Sequence, residues 1–358
     1  MPSTSLRISI LTLVLCFAAV SLFAQELDIH KCWQQDIADG RSLATDGSSL
    51  FVAGGGGRID AYSREGKKAW SADLGGEVSS NLIVSAGKVM AVTTGGGAST
   101  VRSLARETGV TAWTLKLPES SQQSLASVHE SLILVSADGV IQALAPADGA
   151  VRWKREIASG FAGDAVFSGD RILVASTAKQ LFVVSAINGE IEAMQKQQFQ
   201  STAFTFLNNS LVIGDERGNL TSTPMGGAKP AWRFKTGGRV SLINTINGQL
   251  LIGSYDNFVY IVNPENGSVR WKRRLTARLT GFSLFGPGYL ATAATDDHSA
   301  ALTSIETGKT AGQIAFGTDE VLAGNPAPVG PQIVVLTSGG LKAFSTGPCK
   351  KQESGPGL

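Results

Sequence analysis

Between residues 233 and 271 short apolar runs alternate with turn residues in a fixed order. An apolar run at 240–245 is followed by Asn247-Gly248, a second run at 249–254, a polar break at 255–257 and a third run at 258–262. The segment Asn263-Pro264-Glu265-Asn266-Gly267 then leads into a last run at 268–272, which carries Trp271. Runs this short, bounded by Gly, Asn and Pro, predict strands, and Asn-Gly between two of them predicts a tight hairpin. The first turn recurs in register at Asp46-Gly47, Ala86-Gly87, Ser168-Gly169, Asn208-Asn209, Gly286-Pro287-Gly288 and Val329-Gly330. A second landmark shares the period. Trp33, Trp70, Trp113, Trp153, Ala193, Trp232, Trp271 and Gly312 are spaced by 37, 43, 40, 40, 39, 39 and 41 residues, and the six tryptophans of this ladder are all that the chain contains.

Four short strands repeating every forty residues or so predict an all-β fold, a β-propeller with one four-stranded antiparallel blade per repeat. Counting repeats predicts eight blades. Trp33 has no three strands before it, whereas the last repeat, 316–346, holds three strands and lacks a fourth. The segment 29–37 is therefore expected to close the last blade.

The turn before the fourth strand is the most specific local feature. Residues 143–153, 261–271 and 103–113 share one spacing, in which Gly149, Gly267 and Gly109 each stand four residues before a tryptophan. The polar residue before each glycine can bond back to the turn, and an indole is suited to wedge between blades. This spacing resembles the tryptophan-docking motif of the quinoprotein (PQQ-like) propeller family, and the likeness extends over essentially the whole predicted domain. The family's Asp is replaced by Ser63, Ala105, Ala145, Ser185 and Ser304. Where Ala193 and Gly312 stand for Trp, the seams between blades are expected to be looser, or filled by neighbours such as Met194.

Composition changes the picture little. Hydrophobic residues make up 43% of the 358 and the formal net charge is +2, so nothing global points to nucleic acid or to an anionic membrane surface. Residues 1–24 read as a secretory signal peptide, with Arg7 before an apolar run and Ala24 at the cut. Cys16 lies between Leu15 and Phe17, unlike a lipid-attachment cysteine. The propeller is assigned to 25–349 and a disordered tail to 350–358. Cys32 and Cys349 are the two cysteines left after export, and they are expected to pair across the chain ends in an oxidising compartment.

Candidate chemistry is sparse. The turns between second and third strands carry Asp138, Asp215, Glu216, Asp256, Asp296 and Asp297, which should gather as an acidic rim on one face. Asp296-Asp297-His298 has the residue types of a divalent-metal site, but three consecutive residues in a tight turn seldom converge, so a solvated turn is expected. His30 and His129 have no evident partners. Basic residues at 152, 154, 155, 270 and 272–274 are read as charges guarding exposed blade edges. The glycine runs 54–57 and 95–97 lead into no helix and are not read as phosphate loops.

The family resemblance implies two readings. Quinone-dependent dehydrogenases of the family hold PQQ over calcium beside a vicinal disulfide; no adjacent cysteines and no matching ligand set occur here. The favoured implication is a non-catalytic, monomeric, exported scaffold for other envelope proteins, similar to the BamB-type propellers of outer-membrane protein assembly, with no cofactor and no membrane span in the mature chain. A PQQ-dependent oxidoreductase, or a subunit of one, is the alternative.

Overall fold

A computed structural model describes residues 27–118, 123–227 and 229–349; residues 1–24, read from the sequence as a signal peptide, and 350–358, read as a tail, lie outside the described residues. Eight antiparallel sheets follow one another around a ring. Blade 1 consists of Gly40–Thr45, Ser49–Gly54, Arg58–Ser63 and Lys68–Asp73, hydrogen-bonded in chain order. Blades 3 to 7 repeat the plan, from Gln123–Val128 to Thr310–Ala315. In the unit read first, the strands are Val240–Ile246, Gln249–Ser254, Phe258–Val262 and Val269–Arg274, so only the outer strand differs appreciably, running two residues further than its apolar pattern. Asn247 and Gly248 both take positive φ, 47° and 72°, as a two-residue hairpin turn of this hand requires.

Blade 2 departs from the plan. Its inner strand is split into Glu77–Val78 and Ile83–Ser85, both paired with Lys88–Gly95. Blade 8 takes Ala327–Val329, Gln332–Thr337 and Gly340–Ser345 from the end of the chain and His30–Asp36 from its beginning. The two ends are joined by a Cys32–Cys349 disulfide with a Cα separation of 5.3 Å.

The core is a ring of clusters, each straddling one seam between blades. Leu50 and Val52 pack toward blade 8 with Val334 and Leu336, whereas Phe51 and Ala53 pack toward blade 2 with Val89 and Ala91. Successive residues of a strand point to opposite faces. A strand covered on both faces must therefore be apolar at every position, which explains continuous runs such as Ser49–Gly54 in place of alternation. The outer strands alternate, because only one face meets a neighbour.

Each tryptophan clamps its own blade to the next. Nε1 of Trp33, Trp70, Trp113, Trp232 and Trp271 donates to the backbone oxygen of Arg64, Arg106, Pro146, Pro264 and Ile305 at 2.7–2.9 Å. Trp153 donates to Ala186 O at 3.3 Å. The indole then lies flat against the turn glycine of that same next blade. A Cβ on Gly109 would stand 2.5 Å from the Trp70 ring, on Gly149 2.7 Å from Trp113, and on Gly267 2.6 Å from Trp232. The glycine of the motif and the tryptophan four residues after it thus serve different seams.

The two substituted seams are filled, but not as the sequence suggests. Met194 is 49% exposed on the outer strand of blade 4. Met225, from the turn of blade 5, packs with Ala193 against Leu181, Val183 and Ile213 instead. In the sequence, Ala228 stands four residues before Trp232, where the other repeats have the receiving glycine. At Gly312 the N-terminal segment takes the place of an indole: Ile29 Cδ1 would meet a Cβ there at 2.7 Å, and Leu27 N donates to Ala311 O at 2.7 Å. Blade 8 has no turn between its third and fourth strands, since the chain ends lie there, so no backbone oxygen is offered to a tryptophan.

Two outcomes test this account of the ring. Trp113→Ala should cost about 3–5 kcal/mol in urea unfolding, and in the wild-type protein amides flanking the seam between blades 4 and 5 should exchange faster than those at the Trp113 seam. Equal protection at both would refute the clamp as the source of local stability. The disulfide closes a loop with a sequence separation of 317 residues. Cys349→Ser is expected to cost about 2–5 kcal/mol, with exchange rising first in blade 8; an unchanged unfolding midpoint would refute this.

Candidate functional site

The connections between blades and the turns between second and third strands share one face. In six blades the residue after the outer strand donates its N–H to a turn carbonyl: Leu74 to Gly57, Ile157 to Gly139, Gln197 to Lys179, Thr236 to Gly218, Leu275 to Asn257 and Phe316 to His298. These bonds hold the rim in place and put its side chains where a partner can reach them.

The six acidic residues named from the sequence occupy these turns, and half of them are tied into turn structure. Asp215 accepts from Arg217 N, Asn219 N and Asn219 Nδ2 at 2.8–2.9 Å. Asp256 accepts from Gly237 N at 2.8 Å, Phe258 N at 3.1 Å and Tyr260 Oη at 2.6 Å. Asp297 accepts from Thr276 Oγ1 at 2.7 Å. Asp138, Glu216 and Asp296 complete the set. His298 Nδ1 turns to Glu320 O at 2.8 Å, away from Asp297, so the Asp296-Asp297-His298 turn does not converge on a point. His30 Nε2 lies 2.7 Å from Gly347 O, beside the closure, and His129 pairs with Asp170; neither pairing was evident in the sequence.

Arginines and aromatic rings interrupt this rim across blades 5 to 7. Tyr255, 41% exposed in a blade 6 turn, lies between the guanidinium groups of Arg239 and Arg278, at 5.4 and 4.2 Å from its ring centre. Arg239 comes from the connection entering blade 6 and Arg278 from the one leaving it, so three backbone segments build the stack. One blade earlier Arg217 covers Phe199 at 4.1 Å. Phe199 and Arg217 border a cleft of about 620 Å³ on blade 5, which also presents Arg233, Lys235 and Asp215. A neighbouring groove carries Phe234, Tyr260 and Phe258 in series, with Lys272 5.1 Å above the Phe258 ring. The basic residues of the outer strands divide in the same way. Arg155 and Arg273, expected to face outward, reach across their seams instead, Arg155 to Gly189 O at 2.7 Å and Arg273 to Thr303 and Thr310 of blade 7.

No group of three or more His, Cys, Asp or Glu side chains that could hold a metal occurs among the described residues. A quinone over calcium needs converging carboxylate and amide oxygens; the paired cysteines here are Cys32 and Cys349, 317 positions apart and not neighbours in the sequence. No described helix is long and apolar enough to cross a membrane.

The comparisons with known proteins agree with the architecture. The profile of the family described as "Outer membrane protein assembly factor BamB" matches residues 26–221 and 137–281. No curated protein sequence matches. Among solved structures, BamB from Moraxella catarrhalis is similar at 15% identity and a TM-score of 0.68, covering 88% of this chain and 97% of that one. The computationally designed Ika8 protein gives 16% and 0.73, with 90% and 99% covered. The C-terminal WD40 domain of Sif2 gives 11% and 0.72, with 89% and 98% covered. At such identities the likeness is one of fold.

Burial alone would raise the Asp256 pKa, but hydrogen bonds from Tyr260, Gly237 and Phe258 outweigh it and hold the carboxyl below its usual range. A depressed folded pKa stabilises above the unfolded value of about 3.9 and loses that contribution as pH falls through the folded value. Asp256→Asn should therefore cost about 1 kcal/mol at neutral pH, allowing for solvent screening. The difference from wild type should vanish at strongly acid pH. A difference that does not depend on pH would refute this role.

Proposed function

The chain belongs to the BamB family of outer membrane protein assembly factors, and from that premise we propose that it is an exported, non-catalytic scaffold that binds other envelope proteins. The observation that carries this reading is the arginine–aromatic surface on blades 5 to 7, where Tyr255 is stacked between Arg239 and Arg278. Tyr and Arg are enriched at the energetic centres of protein interfaces, because each combines a large contact area with directed hydrogen bonds. Rings already held under guanidinium groups lose little freedom when a partner lands on them. The exposed cations Arg217, Arg239 and Arg278 favour a partner that offers carboxylates. Export to an oxidising compartment is supported by the signal-like segment and by a disulfide that ties the chain ends together.

The test is a photo-crosslinking residue placed at position 255 or 199, with a control at Val110 on the opposite face. Envelope proteins should be captured from the first two positions only, and Arg278→Ala should weaken binding of the captured partner by about tenfold or more without lowering thermal stability. Equal capture from Val110 would remove this surface from the proposal. Tight PQQ binding in the presence of calcium, with dye reduction, would replace the scaffold reading by an oxidoreductase.

A further inference from the structure

Positive charge is concentrated in one part of the ring. Residues 229–278 hold nine Lys and Arg against two Asp and Glu, whereas the whole chain has 31 against 29, so the rest of it carries more acids than bases. Five of the nine stand on two adjacent outer strands, Trp232–Lys235 of blade 5 and Val269–Arg274 of blade 6, each the edge of its sheet. Arg233, Lys235, Arg270, Lys272 and Arg274 occupy alternate positions, and all five are exposed. Alternation puts Arg233 with Lys235, and Lys272 with Arg274, on one face of their strand. None of the five forms an ion pair among the described residues.

Guarding an edge against strand pairing takes one or two charges of either sign, and the other outer strands follow that rule. Lys68–Asp73, Val151–Glu156, Ile191–Lys196 and His30–Asp36 each hold both signs, and in the second of them Lys154 pairs with Glu156. Thr111–Pro118 carries a single lysine and Thr310–Ala315 no charge. Blades 5 and 6 alone put two or more cations on an edge strand with no acid beside them, so edge protection does not account for them.

Both strands border one groove of about 620 Å³, which Lys235 lines from blade 5 and Arg270 and Lys272 from blade 6. Asp256 is the only acid among the lining residues. Phe234, Phe258 and Tyr260 supply apolar wall, with Lys272 5.1 Å above the Phe258 ring, and Val269 is 38% exposed at the start of the same strand. We infer that this edge of the ring binds an anionic lipid surface, its arginines and lysines engaging headgroup phosphates. Guanidinium groups pair with phosphate through two hydrogen bonds and ammonium groups as point charges. Cations above half-buried rings match the change from headgroup to acyl chain at a membrane surface. Lysine is depleted in the centres of protein interfaces, whereas lysine and arginine are both drawn to anionic lipid. Neighbouring edges of an eight-bladed ring point in similar directions, so a flat surface can meet both. The strip stands on outer strands, apart from the rim connections that hold Arg239 and Arg278 over Tyr255, and loss of either surface leaves the other in place.

The test is co-sedimentation of the protein, purified in its exported form, with vesicles of phosphatidylcholine alone and of phosphatidylcholine and phosphatidylglycerol in equal parts. Binding should require phosphatidylglycerol and be lost at about 0.5 M salt, where screening shortens the reach of charge to a few ångströms. Arg270→Glu, Lys272→Glu and Arg274→Glu together should weaken it by about a hundredfold or more. Lys31→Glu, Lys116→Glu and Lys196→Glu together change the net charge equally and should weaken it less than about threefold. Equal binding to both kinds of vesicle, or equal losses in the two triple variants, would overturn the inference. Tighter binding to poly-glutamate than to the vesicles at equal anion concentration would also overturn it and assign the strip to an acidic protein. Release by millimolar inorganic phosphate at constant ionic strength would reduce it to a site for the free anion. If the first triple variant failed to fold, Arg270→Gln and Lys272→Gln, each expected to bind about fivefold more weakly, would decide the matter.

Discussion

An indole seated on the backbone of the next blade is the interaction on which the rest of this ring depends. A four-stranded blade has two apolar faces and cannot bury either alone, so it is stable only between neighbours. Apolar burial presses blades together without fixing how far one slides past the next. The indole N–H bonded to a turn oxygen supplies that register, and the ring lying on a glycine supplies the close approach. With six such clamps, the rim residues come from turns whose relative positions are set from outside by the tryptophans and from within by the repeated bond between connection and turn.

The two seams without an indole follow from the same constraint. A clamp needs a tryptophan on one blade and a turn with a glycine and a free carbonyl on the next. Blade 8 has no such turn because the chain begins and ends there, and Leu27 and Ile29 fill the space at Gly312. Blade 5 has an altered turn, and Met225 fills the space at Ala193. The disulfide then does covalently for the last blade what a hairpin does for the other seven, holding third and fourth strands together.

Repetition also explains why candidate sites stand out. Positions equivalent in eight blades have eight chances to show what the fold needs, so a residue that breaks the pattern calls for another explanation. Tyr255 places a ring beneath arginines in a turn where blades 1 to 3 have Gly55, Gly96 and Ala137, and Phe199 places one beneath Arg217 from the connection into blade 5. Both rings lie on the face where connections and turns meet, which is also where side chains are free to vary without disturbing the clamps.

Blade number, strand order and terminal closure were legible because each rests on local spacing: turn chemistry sets the hairpins, and the tryptophan period counts the seams. What could not be read were relations between residues a whole blade apart. The glycine of the motif receives the tryptophan of the preceding repeat, Met225 and not Met194 fills the Ala193 seam, and Arg155 and Arg273 cross seams instead of guarding an edge. The acidic turns were visible in sequence, but the arginines among them come from the flanking connections and reach Tyr255 only once three segments are brought together. Sequence by itself determined the architecture, since strands and turns are decided over a few residues. Tertiary structure alone decided which side chains meet, since contacts across a seam depend on where the neighbouring blade is held.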